Sequence, residues 1–246
     1  MKSNKIILGI AICSLSILAC NDLNKVVGTA NSVLGPTEQG LTNDEVIAGL
    51  REALSVGANN STAMASKEDG FLKNEAIKLL FPPDAIKVRD KAIQLGLTNQ
   101  VERFEMTLNR AAEVATKEAG PIFLNAIKNM SVSDGFTILK GDKNAATNYL
   151  REKCTAELRT KFRPKVEQAT KTVELTKYWE PLTKAYNTST ILTGKEDVNT
   201  DLDGYVTDNA IKGVFHLVEQ EEAKIRENPA ARVTDILKKV FGSLDK

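Results

Sequence analysis

The sequence predicts an all-α fold, a single multi-helix, bundle-like domain of about eight or nine helices. Three observations predict it. Aromatic residues make up only 5% of the 246 residues, while Ala, Leu, Lys and Glu are abundant, a composition that suits helices rather than a β-sandwich. Val101, Phe104, Leu108, Ala111 and Ala115 recur at steps of three and four, which gathers them on one helical face. Thr42 with Glu45 three residues on reads as a capping box, a hydroxyl and a carboxylate that satisfy the free amides at a helix start. With 42% hydrophobic residues, the chain can bury one core.

The first twenty residues read as an address. Lys2 and Lys5 precede an apolar stretch through Leu18, about 14 mostly apolar residues and shorter than the roughly 20 of a transmembrane helix. It ends in Ile17-Leu18-Ala19-Cys20, which resembles a bacterial lipobox: an aliphatic residue, a variable one, a small one, then the cysteine that takes up diacylglycerol. Leu18 is bulkier than the residue common at that place. Residues 1–19 are expected to be a lipoprotein signal peptide, Cys20 the lipidated residue, and residues 20–40, with Gly28, Gly35, Pro36 and Gly40, a flexible tether. Multiple acyl chains anchor a protein stably without spanning the bilayer. Asn21 is not the acidic retention signal of enteric bacteria, which favours the outer membrane with the domain facing the periplasm.

Charge and cysteine count exclude several classes. Loss of residues 1–19 removes Lys2 and Lys5 from 33 basic residues and none of the 32 acids, so the mature chain is nearly neutral. Nucleic-acid binding would call for a basic excess, and no such partner is expected. Of three cysteines, Cys13 leaves with the signal and Cys20 is lipidated; Cys154 remains alone. A disulfide framework is excluded within the monomer.

Residues 41–246 form the expected helical domain. Thr42 opens a helix with Val46, Ile47, Leu50 and Leu54 on one face, running on past Ser61 and Met64 to a turn at Asp69-Gly70. The stretch from Ile77 to Pro83 reads ambiguously; Phe81 before Pro82 favours an extended segment. A helix starting at Pro83 or Asp84 uses Ile86, Arg89 and Ile93 and stops at Gly96. Thr98 is expected to cap the next helix, which Gly120-Pro121 ends or kinks before Ile122, Phe123, Ala126, Ile127 and Met130 continue. Ser133 with Asp134 reads as the cap of a short helix closed by Gly141. Leu150, Cys154, Leu158 and Phe162 fall four apart, and Pro164 is expected to separate them from a helix carrying Val166, Ala169 and Val173. Residues 187–199 read as the longest loop. A helix runs from Asp201 through Arg226, with Tyr205, Ile211, Val214, Phe215, Val218 and Ile225 on its apolar side. Asn228-Pro229 reads as an N-cap with proline at the first helical position, and the last helix, with Val233, Ile236, Leu237 and Val240, stops at Gly242. No period of about 20–50 residues marks a repeat array.

Candidate chemistry is sparse. Residues 199–210 have the outline of a calcium loop, with Asn199, Asp201 and Asp203 as oxygen donors and Gly204 at the sixth place. The twelfth place is Ala210, where a bidentate Glu is needed, and Asp201 and Asp203 are explained as first-turn acids on a helix dipole. No metal and no cofactor is expected. His216 is the only histidine, sharing a helix face with Lys212 and Gln220, so it reads as solvated rather than as a zinc ligand or general base. Cys154 lies on an apolar stripe and reads as a small hydrophobe. No G-x-S-x-G elbow occurs, and Thr193-Gly194-Lys195 lacks the earlier glycine of a phosphate loop. Six basic residues between Arg151 and Lys165 read as a solvated face or a patch for an anionic surface. Tyr178, Trp179 and Tyr186 hold much of the aromatic content and are a possible ligand or partner groove, with core packing as the simpler alternative.

The chain as a whole resembles a domain family of unknown function found in bacterial envelope proteins, many of them lipoproteins. The resemblance runs through LTNDEVIAGLREALSVG, KEDGFLKNEAIKLLFP, LNRAAEVATKEAGPIFLNAIKNMSVSDGFTILKGDKNAATNYL, KYWEPLTKAYN, DLDGYVTDNAIKGVF and ENPAARVTDILKKVFG, nearly all of residues 41–242. It implies an envelope-located helical domain and supplies no catalytic residue. The expected function is therefore that of a lipid-anchored binding or scaffold module, not an enzyme, with protein partners in the envelope. The alternative is a periplasmic carrier or sensor holding a small apolar ligand between helices near residues 178–186. An enzyme, as a third reading, would need acids clustered around His216 or residues 201–208 in a deep cleft.

Overall fold

Two carboxylates and one amide buried on two helices, Glu113 and Asn109 on one and Glu222 on another, hold this fold in register, because each closes backbone groups of a different segment. A computed structural model describes residues 42–172, 174–190, 201–232 and 234–242. The expectations for residues 1–41, Cys20 and the tether among them, lie outside the described residues, as do residues 191–200 of the expected loop. The described residues are all-α, with no strand among them. In chain order the helices are α1 (Asn43–Ser66), α2 (Ile86–Gln94), α3 (Thr98–Ala115), α4 (Ala119–Lys128), α5 (Val132–Lys140), α6 (Ala145–Thr172), α7 (Leu175–Thr190), α8 (Leu202–Glu227) and α9 (Asp235–Gly242). They belong to one compact unit, Leu41–Lys246.

Helices α1, α3, α6 and α8 make the centre. α8 packs on α6, α1 and α3; α4, α5 and α9 close the α1 side, and α2 and α7 cover α3. α8 buries Val206, Ala210, Ile211, Val214, Phe215, Leu217, Val218 and Ile225, so its apolar band is too wide for a surface helix. Phe215 meets Phe123 of α4 with ring centres 5.5 Å apart. Gly213 lets the α1–α2 connection approach α8: a Cβ there would fall 2.6 Å from Phe71 Cε1.

Glu222 of α8 accepts the Ala146 and Thr147 amides at 3.0 and 2.8 Å and the Thr147 hydroxyl at 2.8 Å. These are free donors of the first turn of α6, capped here from another helix and aided by its dipole. Arg226, one turn on, donates to Glu222 at 2.9 Å and to the Ile138 carbonyl in the last turn of α5 at 2.8 Å. Glu113 of α3 accepts the Phe71 and Leu72 amides at 3.1 and 3.3 Å and is held by Arg110, which also reaches Asp69. Asp69 has φ +63°, and at Gly70 a Cβ would lie 2.3 Å from the Met64 carbonyl. The turn read at Asp69-Gly70 is this one.

The α1 capping box forms as expected, the Glu45 amide donating to Thr42 Oγ1 and Glu45 accepting from the Thr42 amide. Other boundaries differ. Leu97, not Thr98, stands before α3, and no side chain caps that end. The break before Pro121 comes earlier, at a 3-10 turn Thr116–Glu118, because proline lacks the amide that would bond back to Lys117. It therefore sits within the first turn of α4. The cap of α5 is Ser131, whose hydroxyl accepts the Asp134 amide at 3.1 Å; Ser133 lies inside the helix. Pro164 lies inside α6 without ending it. It is exposed, so water reaches the carbonyl it leaves unpaired, while Cys154, Leu158, Phe162, Val166 and Ala169 stay buried on one stripe. Packing of both halves outweighs the lost bond. α7 extends to Thr190 into the expected loop. In α2 the buried residues are Val88 and Ala92, and Ile93 is exposed. Asn228 caps a 3-10 turn, Pro229–Ala231, by accepting the Ala230 amide at 3.0 Å, and α9 begins only at Asp235.

Replacing Glu222 by Ala removes one acceptor shared by two amides, a hydroxyl and a guanidinium. Breaking such a buried pair costs about 3–5 kcal/mol. Urea unfolding of Glu222→Ala is expected to show a loss of that size, whereas Lys161→Ala on the exposed face of α6 should change stability by less than about 0.5 kcal/mol.

Candidate binding cleft

Three segments enclose an open cleft of about 970 Å³: residues 76–83 on one side, α6 on the other and α8 as the floor. The floor is a helical stripe. Tyr205, Asp208, Asn209, Lys212, His216 and Glu219 recur at steps of one to four along α8, opposite the face that enters the core. The α6 wall carries Arg151, Thr155 and Arg159 at four-residue spacing.

The non-helical wall is fixed by Asn109, which is fully buried on α3. Its Oδ1 accepts the Leu79 amide at 2.8 Å, and its Nδ2 donates to the Leu79 carbonyl at 2.9 Å and to Glu105 O at 2.7 Å. One side chain thereby makes both bonds that a neighbouring antiparallel strand would make to Leu79. Leu79 and Phe81 are buried, while Leu80 between them is 56% exposed. That alternation is the period of an extended chain. On the other edge the Tyr205 hydroxyl donates to the Leu80 carbonyl at 3.0 Å. Burial, with a smaller contribution from Glu105, raises the Tyr205 pKa above the usual tyrosine value, which keeps the hydroxyl protonated and donating.

The cleft's charges are unevenly matched. Arg159 bonds Asp208 through Nε at 3.0 Å and Nη2 at 2.8 Å, an exposed pair of small energetic weight. The Arg151 guanidinium lies 5.3 Å from the centre of the Phe215 ring and donates to Asn148 at 2.6 Å. Neither Arg151 nor Lys212 has a carboxylate partner among the described residues. His216 Nε2 lies 3.0 Å from Gln220 Nε2, with donor and acceptor roles set by the tautomer.

A protein-family profile described as "Protein of unknown function (DUF4197)" matches residues 40–242. The chain belongs to the DUF4197 family. No curated protein and no solved structure matches it.

Within this DUF4197 domain the residues singled out by sequence scatter. Trp179 stacks on Phe104, centres 4.9 Å apart at 25°, and Phe104 in turn meets Phe81 at 4.6 Å. Tyr186 is buried, and Tyr178 is partly buried against the core. None of Tyr178, Trp179 and Tyr186 lines the cleft. Asp201 is the N-cap of α8, accepting the Gly204 amide at 2.8 Å, and Asp203 accepts the Thr170 hydroxyl at 2.9 Å. Asn199 lies outside the described residues, among which no group of three His, Cys, Asp or Glu is placed to hold a metal. His216 does face the cleft. Of the acids there, Asp208 is bound to Arg159, and Glu219 completes the set. The basic run of α6 divides: Arg163 pairs with Glu167 and Asp201, Lys165 with Glu118 and Lys153 with Glu152, leaving Arg151 and Arg159 on the cleft. Sequence reading missed Asn109, Leu80 and the floor position of Tyr205. Leu80 alone had a signal, the stretch from Ile77 to Pro83 that reads without a clear helical period; Asn109 and Tyr205 lie on periodic helices.

No helix of the described residues is long and apolar enough to cross a membrane. Between α1, α5, α6, α8 and α9 an apolar void of about 20 Å³ remains, room for about one water. Cys154 is buried on α6, and burial, with a smaller push from Glu157, raises its thiol to about 11. The reactive thiolate is then a minute fraction at pH 8. In a chain carrying Cys13→Ser and Cys20→Ser, iodoacetamide at pH 8 is expected to modify native Cys154 at least about tenfold more slowly than the urea-unfolded chain; equal rates would contradict the burial.

Proposed function

We propose that the chain is a lipid-anchored module of the bacterial cell envelope and that its helical domain works by binding, with the α6–α8 cleft as its binding face. The observation that carries the binding part is the cleft itself: a concavity of about 970 Å³ that joins exposed Leu80 to the unpaired cations Arg151 and Lys212. Mixed apolar and charged lining of this kind suits recognition. The anchoring part rests on Ile17-Leu18-Ala19-Cys20. Acylation at Cys20 would hold the domain at an envelope membrane, in this reading the outer membrane, where it meets other envelope proteins from the periplasmic side.

Two measurements test these parts separately. In Triton X-114 extracts of cells the wild-type chain is expected in the detergent phase, and Cys20→Ser is expected in the aqueous phase with no acyl label from radioactive palmitate. Unchanged partition and labelling of the variant would remove the lipid anchor. A photocrosslinking residue placed at Lys212 is expected to give a discrete adduct in intact cells, and the same residue at exposed Lys128 on α4 should give none. Identical patterns at both positions would remove the cleft as the binding face.

A further inference from the structure

Asn109 closes one edge of residues 78–80, and the other edge is closed only in part. The Lys78 amide is taken by the Asn74 carbonyl at 2.8 Å and the Leu80 carbonyl by Tyr205. The Lys78 carbonyl and the Leu80 amide, which flank Leu79 on the edge away from Asn109, have no partner among the described residues. In an antiparallel ladder these two groups are the ones a strand opposite Leu79 would bond. Pro82 and Pro83 follow and have no amide to extend the pairing, so the open edge is short and its register fixed.

We infer that the cleft takes an extended acidic peptide, which pairs as a short strand with the open edge of residues 78–80 and sets its carboxylates on Arg151 and Lys212. The inference rests on the cleft being the binding face and names the occupant. Exposed Leu80 offers the apolar contact beside the edge. Arg151, steadied by the Phe215 ring, and Lys212 supply positive charge and make no ion pair among the described residues. A helical partner would bring no free backbone groups to the edge, whereas a strand does. A bilayer surface is flat on this scale and cannot enter a concavity bounded by two walls.

The test uses the mature chain, residues 20–246, carrying Cys20→Ser to keep it in solution. The probe is a fluorescein-labelled octapeptide of alternating Glu and Val, followed by anisotropy. Its controls are a Lys/Val octapeptide and the Glu/Val peptide methylated on every backbone nitrogen. Saturable binding of the acidic peptide is expected, weakened at least about tenfold by Arg151→Ala with Lys212→Ala, by backbone methylation, and by raising salt, since the charges are exposed. Lys212→Glu alone, on an exposed side chain, keeps the test should Arg151→Ala loosen Phe215. Equal binding of the methylated or the Lys/Val peptide overturns the inference. So does binding to phosphatidylglycerol vesicles that Lys212→Glu abolishes while the peptide fails to bind, which would assign the cations to a headgroup. If no peptide binds and the Lys212 adduct still forms in cells, the occupant is wrong and the binding face stands. Loss of both removes both.

Discussion

The Asn109 amide fixes the extended segment of residues 78–82, and the cleft wall exists because of it. A buried backbone amide and carbonyl without partners would together cost several kcal/mol, about 1–3 each, and helices offer no strand to supply them. Asn109 does so from α3, and residues 78–82 can therefore cross the bundle in extended form. Leu79 and Phe81 go into the core and Leu80 stays outside. If the segment were helical, its backbone would be closed on itself and the wall would have no edge.

The same solution recurs at two other places. Glu113 closes the amides of Phe71 and Leu72, and Glu222 those of Ala146 and Thr147. In each case a polar side chain nearly buried on one helix completes the backbone of a segment distant in sequence. Arg110 and Arg226 in turn offset the buried charge, without which ionised carboxylates would be too costly to bury. Apolar packing supplies most of the stabilisation of such a bundle and is tolerant of shifts between helices. These polar closures are not tolerant, and they set how the connections lie on the bundle.

Helical content, the α1 capping box and the extent of α8 were legible in the sequence because they depend on residues three or four apart. Errors arose where distant contacts decide. Pro164 reads locally as a helix end, yet the buried stripe continues through Phe162 and Val166 against α3 and α8. Ser131 and Ser133 are equally good caps by composition, and only the geometry selects Ser131. The cleft was less legible still. Leu80, Arg151, Tyr205 and Lys212 come from three segments, and no local spacing brings them together. The aromatic run at 178–186 attracted attention by composition, but Trp179 is spent on stacking with Phe104. A near-neutral chain also conceals a local excess: on α6, Lys153, Arg159, Arg163 and Lys165 are paired with acids, and Arg151 stands on the cleft without one.

The central claim is that residues 78–80 are an extended segment closed on one edge by Asn109 and open on the other at the Lys78 carbonyl and the Leu80 amide. Amide hydrogen exchange resolved by residue in the free protein tests it most directly. The account predicts that the Leu79 amide, bound to buried Asn109, exchanges slowly, and that the neighbouring Leu80 amide exchanges at close to the rate of an unstructured peptide. Strong protection of Leu80 in the free protein, or rapid exchange of Leu79, would contradict it.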